Sequence, residues 1–241
     1  MQAPGPAPRG GAQRIPRPVG GQPGDPTPWY REGEAGRALA LADVRRALAD
    51  LPPARPAPAS ELAPERRSSA VLVALFEENG EARVILTKRP DSMPSHQGEI
   101  AFPGGKLEPG VDADLRATAL REANEEIGLE PAAVEIVAEL DGIGTVASRF
   151  VIAPFVGILA GRPEVHADPR EVVSVFDVAL SELLAPGVHH AERWHTPMAD
   201  IEVHFFDLAD ETVWGATARI LYGFLRHLVD DGGTGVTRAV T

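Results

Sequence analysis

Apolar and polar positions along the chain predict a mixture of strands and helices. The apolar, β-branched run over 70–76 predicts one strand, and the run over 82–87 predicts a second. Asn79 and Gly80 lie between the two runs, and both tolerate the positive φ that a tight hairpin turn requires. The sequence therefore predicts an antiparallel hairpin here, which excludes a purely parallel sheet.

The remaining segments continue this mixed pattern. Helices are predicted where apolar residues recur at helical spacing, over 38–51, 114–127, 179–184 and 214–229. Further strands are predicted at 100–102, 134–140, 151–159, 171–176 and 201–207. Because strands and helices are interspersed and the first two strands are antiparallel, we expect an α/β domain of the α+β type around a mixed β-sheet.

Composition divides the chain into four parts. Residues 1–28 are rich in Pro and Gly and lack a hydrophobic period, so we expect a disordered tail. Residues 29–65 hold the first helix and a Pro/Ala-rich linker, and residues 66–230 hold the other predicted elements in one domain. Residues 231–241 are expected to form a flexible C-terminal tail.

Charge and cysteine content narrow the classes of function. The chain has 241 residues, 35 acidic against 23 basic ones, and a formal net charge of −12. This balance argues against a nucleic-acid-binding or polybasic membrane-surface protein, because both need a basic surface. The absence of cysteine excludes disulfides, thiolate nucleophiles and Cys-based metal sites. We expect a cytoplasmic monomer or homodimer that binds neither nucleic acid nor membrane.

Three glutamates in one predicted helix form the closest cluster of candidate functional residues in the sequence. Glu122, Glu125 and Glu126 are spaced i, i+3 and i+4, which places their carboxylates on one helix face. Their mutual repulsion costs stability unless a cation lies among them, and magnesium prefers oxygen ligands of this kind. A solvated acidic helix face is the competing interpretation, and on the glutamates alone it is favoured.

The double glycine before this helix shifts the balance toward a metal site. Gly104 and Gly105 let backbone carbonyl and amide groups approach a ligand closely, although an ordinary loop turn also uses such residues. Arg121 precedes Glu125 by four residues and is therefore placed to orient that carboxylate. A glycine loop combined with clustered carboxylates favours cation binding.

The run from Arg121 to Gly128 resembles a known signature. It reads Arg-Glu-Ala-Asn-Glu-Glu-Ile-Gly and is similar, without a gap, to the Arg-Glu-x-x-Glu-Glu-x-Gly ending of the Nudix hydrolase signature. Two extra residues separate Gly105 from Arg121, so either Asp112 or Asp114 takes the place of the family's structural acid. The resemblance implies a Nudix fold, an α/β/α sandwich with a mixed β-sheet and a catalytic loop-helix-loop.

A second resemblance lies upstream. Thr87, Arg89, Gly98 and Phe102–Gly105 match, at the same spacing, a segment of coenzyme A pyrophosphatases in the Nudix superfamily. Pro94 stands where those proteins carry an arginine. Two downstream segments are also similar to this subfamily, namely 171–173 and 213–220. The resemblance extends over about 66–230, the whole predicted domain.

This resemblance implies a reaction and a set of residue roles. The reaction is metal-dependent hydrolysis of the pyrophosphate of coenzyme A or acyl-coenzyme A to 3′,5′-ADP and a 4′-phosphopantetheine product, with Mg²⁺ or Mn²⁺ as cofactor. The implied metal ligands are Glu122, Glu126, Glu125 and the Gly104 carbonyl. The implied catalytic residues are Glu125, Arg121 and Glu171. The candidates for substrate binding are Arg89, Lys88, His96, Lys106 and Phe102.

Several of these assignments have alternatives. Glu171 also fits a solvated acid beside Arg170, and Arg89 also fits a solvated strand end. His96 equally fits a loop hydrogen bond. The histidines at 189, 190 and 195 are expected in a surface loop, because no third ligand or helix places them as a metal site.

Two other functions remain open. The first is Nudix hydrolysis of ADP-ribose, dinucleotides or nucleoside triphosphates, which the departure at Pro94 supports. The second is a catalytically silent Nudix-fold binding protein. Retention of Glu122, Glu125 and Glu126 argues against the silent protein, because regulators of that kind can lose these carboxylates.

Overall fold

The structure is a computed structural model that describes residues 9–13, 15–33, 36–58, 66–91, 97–145, 150–196 and 200–230. The helices are α1 (Pro28–Glu32), α2 (Leu41–Ala49), α3 (Leu115–Ile127), α4 (Leu180–Leu183) and α5 (Gly215–Asp230). A 3-10 turn spans Pro131–Ala133. The strands are β1 (Gln22–Pro23), β2 (Arg67–Glu78), β3 (Glu81–Lys88), β4 (Ile100–Ala101), β5 (Gly104–Lys106), β6 (Glu135–Glu139), β7 (Ile143–Gly144), β8 (Phe150–Ile158), β9 (Ser174–Ala179), β10 (His189–His195), β11 (Asp200–Asp207) and β12 (Thr212–Trp214).

Strand β2 is the centre of an eight-stranded mixed sheet. It forms the predicted antiparallel hairpin with β3, from the Leu75–Val84 pair to the Glu78–Glu81 pair. Asn79 has φ 55° in the connecting turn, which confirms the positive φ expected there. Along its other edge β2 runs parallel to β8, and the main strand order is β4-β3-β2-β8-β6. The prediction of a mixed sheet is confirmed.

Alternation along β2 builds a core on each face of this sheet. Leu72, Ala74 and Phe76 face α3 and pack with its buried alanines and Ile127. Val73 and Leu75 point the other way, into a cluster that includes residues of α2 and α5. Side chains alternate in this way because successive strand residues point to opposite faces. The helices therefore cover both faces, which confirms the predicted α/β/α arrangement.

A four-stranded antiparallel sheet, in the order β1-β10-β11-β12, packs beside α5. Its strand β10 contains the three histidines that the sequence placed in a surface loop, and that prediction is wrong. His189 is only 3% exposed, because its ring packs between Trp29 and Tyr222. Its Nδ1 lies 2.8 Å from the Thr27 hydroxyl and its Nε2 lies 3.2 Å from Nδ1 of His204.

Strand β9 begins at Ser174, three residues later than the strand predicted over 171–176. Its register explains the shift, because Ser174 pairs with Lys88 at the last residue of β3. Residues 171–173 instead belong to the loop that leads into β9. Glu171 is therefore a loop residue and not part of the strand.

Part of the segment predicted as a disordered tail is placed against the second sheet. Gln22 and Pro23 form β1 and pair with β10, and the Gly10 N–H donates to the Leu208 carbonyl at 2.7 Å. Trp29, the first residue after this segment, is fully buried. The sheet offers backbone partners along its edges, which composition alone does not reveal. The division into tail, linker and domain remains a prediction, and residues 231–241 lie outside the described part.

None of the helices within the described ranges is both long enough and apolar enough to span a membrane.

Candidate active site

Helix α3 presents the three glutamates, and local sequence sets both of its ends. The Asp114 side chain accepts a hydrogen bond from the Ala117 N–H at 2.8 Å, which caps the first turn. At the other end Gly128 adopts φ 70°, a left-handed conformation that glycine tolerates without steric cost. The helix spans Leu115–Ile127, so the helix predicted over 114–127 is confirmed.

The double glycine lets β5 pass close to both β2 and α3. A Cβ atom added at Gly105 would lie 2.3 Å from Cδ of Glu122. One added at Gly104 would lie 2.4 Å from the Ala70 carbonyl oxygen. Gly104 thus allows a close approach to the backbone of β2, and Gly105 allows a close approach to the Glu122 carboxylate, which a side chain at Gly105 would displace.

Glu126 is the most buried carboxylate of the group, at 3% exposure. Its Oε2 accepts a hydrogen bond from the Gly104 N–H at 3.1 Å, and its Oε1 lies 4.0 Å from Nη1 of Arg89. Burial raises the pKa of Glu126 to about 7, while the Gly104 N–H and the Arg89 charge act in the opposite direction. A desolvated carboxylate of this kind gains from a nearby cation.

Arg121 joins the loop before α3 to the glutamates. Its guanidinium donates to Glu125 Oε2 at 2.8 Å, to Glu122 Oε1 at 3.0 Å and to the Lys106 carbonyl at 3.1 Å. It also donates twice to Asp112, and these bonds hold the pKa of Asp112 well below its usual range. Asp112 therefore takes the structural-acid position that the sequence left open, and Asp114 caps the helix.

Glu122 lies between the glycine loop and Arg121. Burial is the main cause that raises the pKa of Glu122, and the like charges of Glu125 and Glu171 raise it further. The Arg121 charge and hydrogen bond oppose this shift. Concentrated negative charge in a partly buried position is the electrostatic condition under which cation binding stabilises a protein.

Glu171 reaches this cluster from a distant loop. The loop is fastened to the last turn of α3, where the N–H of Asp168 donates to the Glu126 carbonyl at 2.9 Å. It is also fastened to β3, because the Val173 N–H donates to the Lys88 carbonyl at 2.8 Å. The exposed Glu171 side chain lies close enough for its charge to raise the pKa values of Glu122 and Glu126.

The oxygen donors of this cluster fit a hard divalent cation such as Mg²⁺ or Mn²⁺. Burial is the main cause that raises the pKa values of Glu122 and Glu126, and the neighbouring glutamate charges raise them further. A cation would stabilise the ionised form of both carboxylates. Glu125 is 56% exposed and is bonded to Arg121. In the described part of the chain, no three acidic or histidine side chains already converge as a metal site.

The candidates for substrate binding are distributed unevenly. Arg89 lies beside Glu126. Lys88 instead forms an ion pair with Glu211. The Lys106 side chain is exposed, and its Nζ lies 5.7 Å from the centre of the Phe150 ring. Phe102 is 3% exposed and packs in the core on the α5 face, whereas His96 lies outside the described residues. The structure brings Arg89, and not Lys88, to the carboxylates.

Comparisons with known proteins identify the family of this chain. A family model described as the NUDIX domain matches residues 66–212. The chain is 41% identical over 162 residues to "Nudix hydrolase 22, chloroplastic" of Arabidopsis thaliana, which covers 64% of this chain and 53% of that protein. It is 32% identical over 185 residues to "Uncharacterized Nudix hydrolase NudL" of Photorhabdus laumondii, which covers 76% of this chain and 95% of that protein.

The chain thus spans about half the length of the plant relative and nearly all of the bacterial one. Among solved structures, a MutT/nudix family protein from Enterococcus faecalis matches with a TM-score of 0.48 and 16% identity, covering 86% of this chain and 76% of that one. The matched family region, 66–212, contains α3, the glycine loop and the Glu171 loop.

Proposed function

Because the chain belongs to the Nudix family, we propose that it is a metal-dependent pyrophosphohydrolase that acts on coenzyme A or acyl-coenzyme A. The products are 3′,5′-ADP and the corresponding 4′-phosphopantetheine. The observation that carries the hydrolase assignment is the partly desolvated carboxylate cluster, organised by Arg121 beside the Gly104 backbone. The substrate assignment is supported by the upstream segment with Thr87, Arg89 and Gly98.

Hydrolysis of a pyrophosphate needs a water molecule held in line with a phosphorus atom. It also needs positive groups that stabilise the negative charge on the phosphate oxygens. The water oxygen bonds to phosphorus, the bond to the bridging oxygen breaks, and the leaving phosphate keeps that electron pair. Glu122, Glu126 and the Gly104 carbonyl are the proposed ligands of Mg²⁺ or Mn²⁺. When bound, the cation neutralises phosphate charge and lowers the pKa of the attacking water.

The remaining residues position groups and move a proton. Glu125 or Glu171 accepts the proton of the attacking water, since both carboxylates border the cluster and both are exposed. Arg121 holds Glu122 and Glu125 in place through direct hydrogen bonds, so it acts as a positioning residue. Arg89 is the proposed anion clamp, because its planar guanidinium suits a phosphate and it already lies beside Glu126.

One observation favours a second candidate substrate. Coenzyme A carries a 3′-phosphate that needs positive charge, yet the Lys88 ammonium is paired with Glu211. Substrates without that phosphate, such as ADP-ribose or dinucleotides, have no need of this lysine. Hydrolysis of such a nucleoside diphosphate derivative is therefore the alternative.

A substrate panel with the purified chain tests the proposal. Coenzyme A, acetyl-coenzyme A, ADP-ribose and a diadenosine polyphosphate are each incubated with Mg²⁺ or Mn²⁺, and the products are separated by chromatography. We expect the highest kcat/KM for a coenzyme A substrate, with 3′,5′-ADP as product. Turnover of ADP-ribose without turnover of coenzyme A would overturn the substrate assignment. Turnover that is equal in the wild type and in Glu126→Gln would overturn the site assignment.

A further inference from the structure

Three residues hold the carboxylate of Asp112. Arg121 donates to both of its oxygens, the Thr118 hydroxyl donates to Oδ2 at 3.0 Å, and the Glu108 N–H donates to Oδ2 at 2.9 Å. Because the Asp112 side chain is only 2% exposed, these donors take the place of solvating water. Oδ2 thus accepts bonds from two groups outside the guanidinium.

Thr118 lies in the first turn of α3 and is fully buried. Residues three and four apart share a helix face, so Thr118 lies on the same face as Arg121 and Glu122. A fully buried hydroxyl needs a hydrogen-bond partner, because leaving it without one costs free energy. The choice of that partner decides what Thr118 does.

The Thr118 hydroxyl has two acceptors within reach, Asp112 Oδ2 and the Asp114 carbonyl at 3.1 Å. A hydroxyl carries one proton, so it donates fully to only one of them at a time. The Asp114 carbonyl already accepts the Thr118 N–H at 3.1 Å. A hydrogen bond to an ionised acceptor is roughly twice as strong as one between neutral groups, so the Asp112 carboxylate is the preferred partner.

The donors outside the guanidinium fix the direction of the Asp112 carboxylate. The terminal torsion of an aspartate side chain is broad, so bonds from Arg121 alone leave the carboxylate and the guanidinium free to turn together. The Thr118 hydroxyl on α3 and the Glu108 N–H in the preceding loop restrict this rotation.

A fixed carboxylate in turn fixes the Arg121 guanidinium. The guanidinium is planar, so holding Nε and Nη2 against Asp112 also sets the direction of Nη1. Nη1 donates to Glu125 Oε2 at 2.8 Å, and Nη2 also donates to Glu122 Oε1 at 3.0 Å. The direction of the Asp112 carboxylate therefore influences where these two glutamates are held.

We propose that Thr118 is a positioning residue for the α3 cluster, the carboxylates of Glu122, Glu125 and Glu126. Its hydroxyl fixes the Asp112 carboxylate, which fixes the guanidinium that holds two of the three glutamates. The inference rests on the proposed function, because Glu122 and Glu126 are the proposed ligands of Mg²⁺ or Mn²⁺. It adds a buried hydroxyl to the groups on which the affinity for the cation depends.

Binding of Mn²⁺ to the full chain, followed by electron paramagnetic resonance of the free ion, tests this role. Thr118→Val removes the hydroxyl from a side chain of similar shape, and we expect it to weaken Mn²⁺ binding by about fivefold or more. Thr118→Ser retains the hydroxyl and should stay within about twofold of wild type. Thr118→Ala also lacks the hydroxyl, has the highest helix propensity, and provides the same test if the valine variant fails to fold.

Thr212→Val is the matched control. The Thr212 hydroxyl donates to Asp207 Oδ1 at 2.8 Å, and this residue is also buried, but it lies on β12 and outside the α3 cluster. The control should keep the wild-type affinity for Mn²⁺. A purely structural role of Thr118 predicts lower resistance to urea with unchanged Mn²⁺ affinity of the folded chain. That pattern overturns the proposal, and so does an equal loss of affinity in the control.

A double-mutant comparison tests the route through Asp112. In an Asp112→Asn background, Thr118→Val is expected to change Mn²⁺ affinity by less than about twofold, because residues that act in one network are not additive. Effects of the two substitutions that multiply fully would show that Thr118 acts independently of Asp112, and the proposal would be wrong.

The Mn²⁺ measurement needs no turnover, so it separates this inference from the proposed function. If the wild type binds Mn²⁺ but hydrolyses no substrate of the panel, the proposed function fails and the comparison of the Thr118 variants still decides the positioning role. If the wild type hydrolyses its substrate and Thr118→Val binds Mn²⁺ as wild type does, only the positioning role fails. Absence of Mn²⁺ binding by the wild type overturns both.

Discussion

Arg121 donates two hydrogen bonds to Asp112, from Nε to Oδ1 at 2.8 Å and from Nη2 to Oδ2 at 3.0 Å. The Asp112 side chain is 2% exposed and that of Arg121 is 17% exposed. The same guanidinium also bonds to Glu122 and Glu125. The Arg121–Asp112 pair therefore connects the loop before α3 to the orientation of two carboxylates of the α3 cluster.

Asp112→Asn is expected to lower both stability and activity. The substitution leaves Arg121 with a neutral partner in a position that is largely shielded from water, and we expect a loss of about 2 kcal/mol in the free energy of unfolding. Urea denaturation measures this. Asp114→Asn is the matched control, because asparagine caps a helix about as well as aspartate, so we expect a change below about 0.5 kcal/mol. Equal effects of the two variants would contradict the assignment of Asp112.

Gly105→Ala is expected to displace the Glu122 carboxylate, because the new methyl carbon would lie only 2.3 Å from Cδ of Glu122. We expect kcat to fall by about tenfold or more, with weaker binding of Mn²⁺, since a displaced ligand no longer reaches the cation. Gly161→Ala serves as the control, because a Cβ at that position meets nothing within 4 Å among the described residues. Wild-type kcat in Gly105→Ala would refute the close approach inferred for this glycine.

Glu126→Gln is expected to reduce kcat/KM on the order of 100-fold or more, since it removes a charged group from the reaction centre. The free energy of unfolding without metal should not decrease, because a neutral amide replaces a carboxylate that is only 3% exposed. Activity and urea denaturation are measured side by side. Glu130→Gln, an exposed position just beyond α3, is the control and should behave as wild type in both.

Arg89 and Lys88 are neighbours in sequence but should differ in effect. Arg89→Gln is expected to raise KM by about tenfold, because Arg89 lies beside Glu126 and its guanidinium is the proposed anion clamp. Lys88→Gln is expected to change KM by less than about threefold, since the lysine is paired with Glu211. Steady-state kinetics with the best substrate of the panel measure both. A larger effect at Lys88 would reverse the roles assigned to the two cations.

Because His189 and His204 are buried, we expect the free energy of unfolding to fall in acid. Burial lowers the pKa of each ring in the folded chain, whereas an unfolded histidine titrates near pH 6.5. Below about pH 6.5 the unfolded state therefore binds more protons, and stability falls as the pH falls. Each ring contributes a loss of about 2 kcal/mol between pH 6.5 and pH 5.

Urea denaturation at several pH values tests this expectation. Above about pH 7 the contribution of the two histidines should be constant, because both are then neutral in either state. His204→Phe retains a ring that packs on Tyr222 and removes one titrating group, so the acid-dependent loss should become smaller. An unchanged pH dependence in that variant would show that His204 is not buried in its neutral form.

Local chemistry made several features predictable from the sequence. The β2–β3 hairpin depends on Asn79 and Gly80, and the end of α3 depends on Gly128. The spacing of Glu122, Glu125 and Glu126 placed them on one helix face without any knowledge of the fold. These features follow from turn geometry and helical periodicity, which act over a few residues.

Other features were decided only by the tertiary structure. The sequence left Asp112 and Asp114 as equal candidates until the position of Arg121 separated them. It also placed the histidines of β10 in a loop, and it did not show that Lys88 pairs with Glu211. These relationships join residues far apart in the chain, and they depend on which strand edges and faces meet. Short-range periodicity does not contain that information, because the partners become neighbours only when the chain packs.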